Sequence, residues 1–199
     1  MRESNKLTEQ KYWRDSWKNI KLPARYFYNN YSHIVISDLI EKFISPEYKE
    51  FLEIGGCPGR WADYFYNKHG MTCDSMDYDE ENNKTTKENY RLLKIKGEVF
   101  CGDISPADYI AEKKYDIVLS DGLLEHFSNS DAVFDNHVKH LNQKGLLIVA
   151  VPNIKKSLFY HSLSKYNKEN YAGFRHIGRS ELINHSKRNN LEVLYCDYL

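Results

Sequence analysis

The chain has 199 residues, 41% of them apolar, and its 28 basic residues balance 28 acidic ones to a formal net charge of zero. That length suits one domain with a proper core, and the neutral balance lacks the basic excess of a protein held on nucleic acid by phosphate neutralisation. No run approaches the ~18 consecutive apolar residues of a spanning helix, and the polar start MRESNKLTEQ has no apolar signal region, so a cytoplasmic protein is expected. Cys57, Cys73, Cys101 and Cys196 are far apart and form no metal-ligand spacing, so neither a metal site nor a disulfide framework is expected. Cys73 and Cys101 read as small buried apolar residues.

In chain order, residues 1–30 are polar, aromatic and broken by Pro23. Tyr12, Trp13 and Trp17 predict a short amphipathic helix, either packed on the flank or lying as a lid over a ligand cleft. Ile34, Leu39, Ile40 and Phe43 predict a helix stopped before Pro46. A strand over Lys49 to Ile54, a glycine turn, a helix from Arg60 to His69 and a strand from Met71 to Met76 form one βαβ unit. An exposed helix over Glu81 to Leu93, a short strand over Glu98 to Cys101 and a brief helix over Tyr109 to Lys113 follow. Tyr115 to Leu119 is a nearly uninterrupted apolar strand, as expected when both sheet faces are covered. Then come a helix over Asp131 to Leu141, a strand from Gly145 through LLIVAV, and an irregular stretch from Ile154 to Gly178. Ser180 is expected to cap a helix through Asn189, and Leu191 to Tyr198 reads as a sixth strand.

Strands alternating with helices predict a Rossmann-like, doubly wound, mostly parallel sheet with helices on both faces. The expected single domain, 1–199, divides into an N-terminal helical segment or lid (1–48), a core carrying the ligand turn (49–153), a substrate-side loop (154–178), and a last helix and strand (179–199).

In such sheets the ligand lies beyond the carboxyl ends of the strands. Glu53 to Gly59, Asp77, Asp103 and Ser120 to His126 all fall at such ends. A dinucleotide fingerprint needs G-x-G-x-x-G, but from Gly55 those positions hold Gly55, Cys57 and Arg60, and a guanidinium at the third blocks close helix packing. Glu53, Gly55, Gly56 and Gly59 instead make an E-x-G-G-x-x-G turn with an acidic entry, suited to a ligand carrying positive charge.

From Phe51 onward the sequence resembles the class I S-adenosylmethionine-dependent methyltransferases, nearest their small-molecule branch. LEIGGCPGRW resembles that family's first motif, CGDI its adenine-side acid, SDGLLEHF its fourth motif and LLIVAVPN its fifth strand. The resemblance implies S-adenosylmethionine as cofactor and S-adenosylhomocysteine as product. It implies that Glu53 stands at the entrance and that the backbone at Gly55, Gly56, Cys57 and Gly59 approaches the methionine part. Asp77 then holds the ribose hydroxyls, and Tyr78 lies against the adenine. Asp103, beside Ile104, accepts from the adenine amino group, while Asp121 and Gly122 shape the pocket. Cys57 stands where the family usually has its middle glycine. The antiparallel seventh strand that usually closes the family's sheet is expected to be missing at the C-terminus.

The expected activity is methyl transfer to a small-molecule acceptor, at an oxygen of a sugar, glycan or similar metabolite. For a hydroxyl acceptor a general base helps, and His126 and His176 are the catalytic candidates, with His161 a weaker third. From Ile154 to Arg188 eight basic residues face only Glu169 and Glu181, with aromatics interleaved. This reads as a solvated face, a site for an anionic acceptor, or a single-strand channel. No Asn/Asp-Pro-Pro-aromatic motif follows the fourth strand, which disfavours nucleic-acid bases. The alternatives are an RNA or other nucleic-acid methyltransferase and a non-catalytic cofactor-binding or scaffold protein.

Overall fold

The structure is a computed structural model that describes residues 5–156 and 158–199. Five strands, β1 (Glu50–Ile54), β2 (Thr72–Asp77), β3 (Val99–Cys101), β4 (Tyr115–Asp121) and β5 (Leu141–Ala150), form one sheet in the order β3-β2-β1-β4-β5. Every pairing is parallel. Glu53 lies level with Ser75 and Leu119, Asp77 with Cys101, and Asp121 with Ala150. The register thus brings the acidic ends of β1, β2 and β4 to one edge of the domain, where the chain reverses direction across the sheet.

The sheet is covered on both faces because its central strands are apolar on both. Phe51 and Ile117 pack into a cluster with Trp61 and Phe65 of α3 (Arg60–His69), Ile40 of α2 (Tyr31–Ile40) and Tyr90 of α4 (Glu80–Leu93). Leu52 and Val118, one residue on, pack into the opposite cluster with Val133 and Phe134 of α5 (Asp131–Lys139) and Ile177. Phe51, Leu52, Ile117 and Val118 are all fully buried, each stabilising by roughly 1.5–3 kcal/mol relative to exposure. Gly59 and Gly70 bound α3 in left-handed geometry. Asp79 caps α4 by accepting from the Glu81 and Asn82 amides.

The structure corrects the sequence reading at five places. Leu191 to Tyr198 is not a sixth strand. The segment lines an apolar groove of about 820 Å³ along the outer edge of β5 and makes no ladder with it. The sheet therefore has five strands, and among the described residues none is antiparallel within it. The stretch from Ile154 to Gly178 is not irregular, since it contains α6 (Leu158–Tyr166) and α7 (Lys168–Ala172); no Gly or Pro interrupts it before Gly173. Tyr109 to Lys113 is not helical, because side chains from α5 take the loop's carbonyls: Asn136 donates to Pro106 O and Lys139 to Tyr109 O. Ser180 lies inside α8 (Arg179–Arg188), whose cap is Gly178. Cys73 is buried as expected, but Cys101 is exposed.

Candidate functional site

The acidic strand ends enclose a cavity of about 150 Å³ lined by Gly55, Met76, Asp77, Tyr78, Asp103, Ile104, Asp121, Gly122, Leu123 and His126. Its outer wall comes from Lys6, Thr8, and Trp13 and Trp17 of α1 (Gln10–Trp17). None of these residues lines the larger groove beside β5.

The glycine turn is built around Glu53. Its carboxylate accepts from the Ala62 amide at 3.0 Å, and a Cβ on Gly56 would stand 2.1–2.3 Å from the Glu53 side chain. Gly55 adopts φ +71°, and a Cβ there would meet Leu123 at 3.0 Å. Burial pushes Glu53 up to about 8, so this acid is neutral at pH 7 and sits under the turn, away from the cavity wall. Gly56 serves to admit Glu53. Cys57 points into the core, its Sγ donating to Asn82 O at 3.6 Å, with burial raising the thiol to about 12. Gly59 faces Tyr90, which a Cβ would approach to 2.7 Å.

Asp77 presents its carboxylate at the end of β2. One oxygen accepts from the Asp79 amide at 2.8 Å, while the other has only a long 3.5 Å approach from Asn82 Nδ2. Burial raises its pKa to about 6. The Tyr78 hydroxyl is buried without a hydrogen-bond partner. Asp103 accepts from the Ser105 amide and from Lys6; burial alone would raise it, but these bonds hold it below the usual carboxylate range. Asp121 accepts from Trp61 Nε1 at 3.1 Å. It keeps accessible surface, yet protein packs around it closely enough for desolvation to push its pKa up.

His126, buried in the 3₁₀ turn Leu124–His126, lies between two aromatic rings, Trp13 at 4.6 Å and Phe174 at 4.7 Å between centroids. Its Nδ1 is 2.9 Å from Gly173 O and 2.8 Å from Thr8 Oγ1, and Thr8 itself donates to Gly173 O. A carbonyl only accepts, so Nδ1 carries the hydrogen and Nε2 keeps the lone pair. Burial lowers the ring's pKa to about 4. Glu125 approaches Nε2 with Oε1 at 3.7 Å, while its Oε2 is buried without a partner, and burial raises it to about 8.

A family model described as a methyltransferase domain matches residues 28–195. The chain belongs to that family. No curated protein matches the sequence. Among solved structures, the domain resembles YjhP from E. coli (14% identity, 91% of this chain and 71% of that one, TM-score 0.62). It also resembles the plantazolicin methyltransferase BpumL in complex with SAH (16% identity, 81% and 71%, TM-score 0.56). A third is the SAM-dependent methyltransferase from Thiobacillus denitrificans in complex with S-adenosyl-L-homocysteine (12% identity, 71% and 55%, TM-score 0.54). The chain spans only 34% to 43% of the length of other methyltransferase structures it matches.

Of the residues singled out from sequence, Gly55, Asp77, Tyr78, Asp103, Ile104, Asp121, Gly122 and His126 share the methyltransferase domain's cavity. Glu53, Gly56, Cys57 and Gly59 build the turn beneath it, and His176 lines neither described cavity. His176 is partly buried, with Nδ1 lacking a partner. Sequence reasoning missed Lys6 and Thr8, which pair with residues 97 and 118 positions away. Within the basic segment the three arginines find acids of this chain: Arg175 pairs with Glu181, Arg179 with Asp197, and Arg188 with Asp131 and Asp135. Among the described residues no helix is long and apolar enough to cross a membrane, and no group of three or more His, Cys, Asp and Glu is placed to hold a metal.

Proposed function

We propose that the cleft binds S-adenosylmethionine and that the domain transfers its methyl to an oxygen of a small metabolite, sugars and glycans among them. The observation carrying this reading is that Asp77, with one carboxylate oxygen barely engaged, opens onto the same cavity as Gly55, Asp103 and Asp121. The donor set fits the cofactor. Asp77 is placed to accept two ribose hydroxyls in a charge-assisted, bidentate manner. Tyr78 offers a flat ring and Asp103 an acceptor at the adenine end, while Asp121 sets an acid against the cofactor's positive charge. When bound, the cofactor supplies an electrophilic methyl on a sulfonium for in-line displacement.

The chain's own contribution is alignment first and proton removal second. His126 is neutral at pH 7 because its pKa lies near 4, so Nε2 is available to take the acceptor's proton as the new O–C bond forms. A base this weak takes the proton only late, as the forming O–C bond acidifies the hydroxyl. Glu125, with Oε1 3.7 Å from Nε2, is held protonated at pH 7 by burial and faces the ring as a neutral group. The ion pairs of Arg175, Arg179 and Arg188 give less support to a phosphorylated acceptor.

Thermal unfolding with S-adenosylhomocysteine tests the common premise. Wild type should gain about 2.7 kcal/mol at a hundredfold excess over Kd, and Asp77→Ala should lose the shift while keeping its fold. A well-folded wild type unmoved by millimolar ligand would overturn the reading.

A further inference from the structure

The cavity is about 150 Å³, well under the ~300 Å³ at which small-molecule pockets begin. What narrows it is the chain's own N-terminal strap, residues 5–17. The Leu7 amide donates to His126 O at 2.8 Å and the Ser128 amide to Asn5 O at 2.9 Å. Those bonds set Lys6 opposite Phe127 in an antiparallel bridge, between two residues whose backbones are committed to the rim. The Lys6 side chain is then directed into the cleft. Its ammonium pairs with Asp103 and stands 4.3 Å from the centroid of the Tyr78 ring. A carboxylate and an aromatic face are what an amino-substituted purine would use at this end of the cleft, and Lys6 engages both.

We propose that the strap is a self-inhibitory latch, in which Lys6 acts as an internal ligand of Asp103 and competes with the adenine end of the cofactor for that carboxylate. The proposal rests on the cofactor reading above. Loading the cleft exchanges the Lys6 ammonium for the cofactor's amino group, swings the Lys6 side chain out and loosens residues 5–17 without detaching them. The other strap contacts use different partners: Thr8 bonds Gly173 O, and Arg14 bonds Asp79 at 2.7 Å. The strap therefore stays tethered when Lys6 is released. The latch is weak enough to open, because the Lys6 and Asp103 side chains keep 23% and 38% of their surface in water, and pairs so exposed hold loosely.

The test measures S-adenosylhomocysteine binding by calorimetry to wild type, Lys6→Met and Lys6→Arg, with chymotrypsin cleavage at Tyr12, Trp13 and Trp17 followed in the ligand-free proteins. This ligand has no sulfonium, so tighter binding to the methionine variant is not relief of charge repulsion on sulfur. If Lys6 holds the latch, Lys6→Met binds about two- to fivefold tighter, since freeing a competent state lowers the apparent Kd, and its strap is cut faster. Lys6→Arg behaves as wild type. Wild-type binding with equal or weaker binding to Lys6→Met overturns the latch and leaves the cofactor reading standing, with Lys6 then a wall of the loaded site. Unchanged cleavage in Lys6→Met also overturns the latch. Binding to none of the three folded proteins overturns both.

Discussion

A methyl group on Gly56 would stand 2.1 Å from Glu53 Cγ and 2.3 Å from its Oε1, so the buried carboxyl would have to leave the Ala62 amide it now accepts from. Overpacking of this kind costs ~1–3 kcal/mol. Gly56→Ala should therefore lower the unfolding free energy by that order, read as a lower urea midpoint, and an unchanged midpoint would count against Glu53 being held by this turn. The E-x-G-G-x-x-G spacing made the turn readable in sequence, because small residues after an apolar run have few other uses. What it could not reveal was which neighbour each glycine makes room for. Gly56 admits Glu53 and Gly59 admits Tyr90, while Gly55 faces Leu123. Asp77 and Asp121 were readable because strand periodicity fixes where each strand stops. Lys6 and Thr8 were not, since their partners lie 97 and 118 positions away and no local pattern encodes such pairs.

At the scale of elements, the segment after β5 turns on Arg175. Its amide donates to Glu125 O at 2.7 Å, and its guanidinium donates to Phe127 O, Ser130 Oγ and Glu181. One side chain thus ties the turn carrying His126 to the first turn of α8. Arg175→Ala should destabilise the fold by ~1.5–3 kcal/mol, the range for hydrogen bonds to a charged group. Trp fluorescence should change too, because Trp13 rests on His126. A site for an anionic acceptor predicts instead a normal unfolding midpoint with weakened substrate binding. Composition showed a run of cations with aromatics but not that α5, α8 and the tail supply counter-charges to its arginines, so an internal network was indistinguishable from a binding patch. Leu191 to Tyr198 failed as a strand for a related reason: apolar residues do not report whether their backbone finds a ladder, and here the sheet ends at β5.

Across the whole molecule, the buried acids and histidines pull stability in opposite directions with pH. Asp77, Glu53 and Glu125 are raised by burial, to about 6, 8 and 8. Each therefore contributes stability that is complete below its unfolded pKa and lost as pH climbs through the folded value. His126 and His137 are lowered by burial to about 4, so their contribution is present above ~6.5 and is lost as the pH falls through 4. Below pH 6.5 the two sets oppose each other. From pH 6.5 upward Asp77 and the histidines complete only the tail of their titration, in opposite senses, and Glu53 and Glu125, with folded values near 8, carry most of the change. The ligand-free protein should thus be less stable at pH 8.5 than at pH 6.5, each acid contributing at most ~1.4 kcal/mol per pH unit. Glu125→Gln keeps the side-chain shape without the titration and should remove about half of that fall in urea midpoint, whereas Asp77→Asn should leave it largely unchanged. A wild-type midpoint that is flat or rising over this window would show that these two acids do not stay protonated in the folded domain at neutral pH.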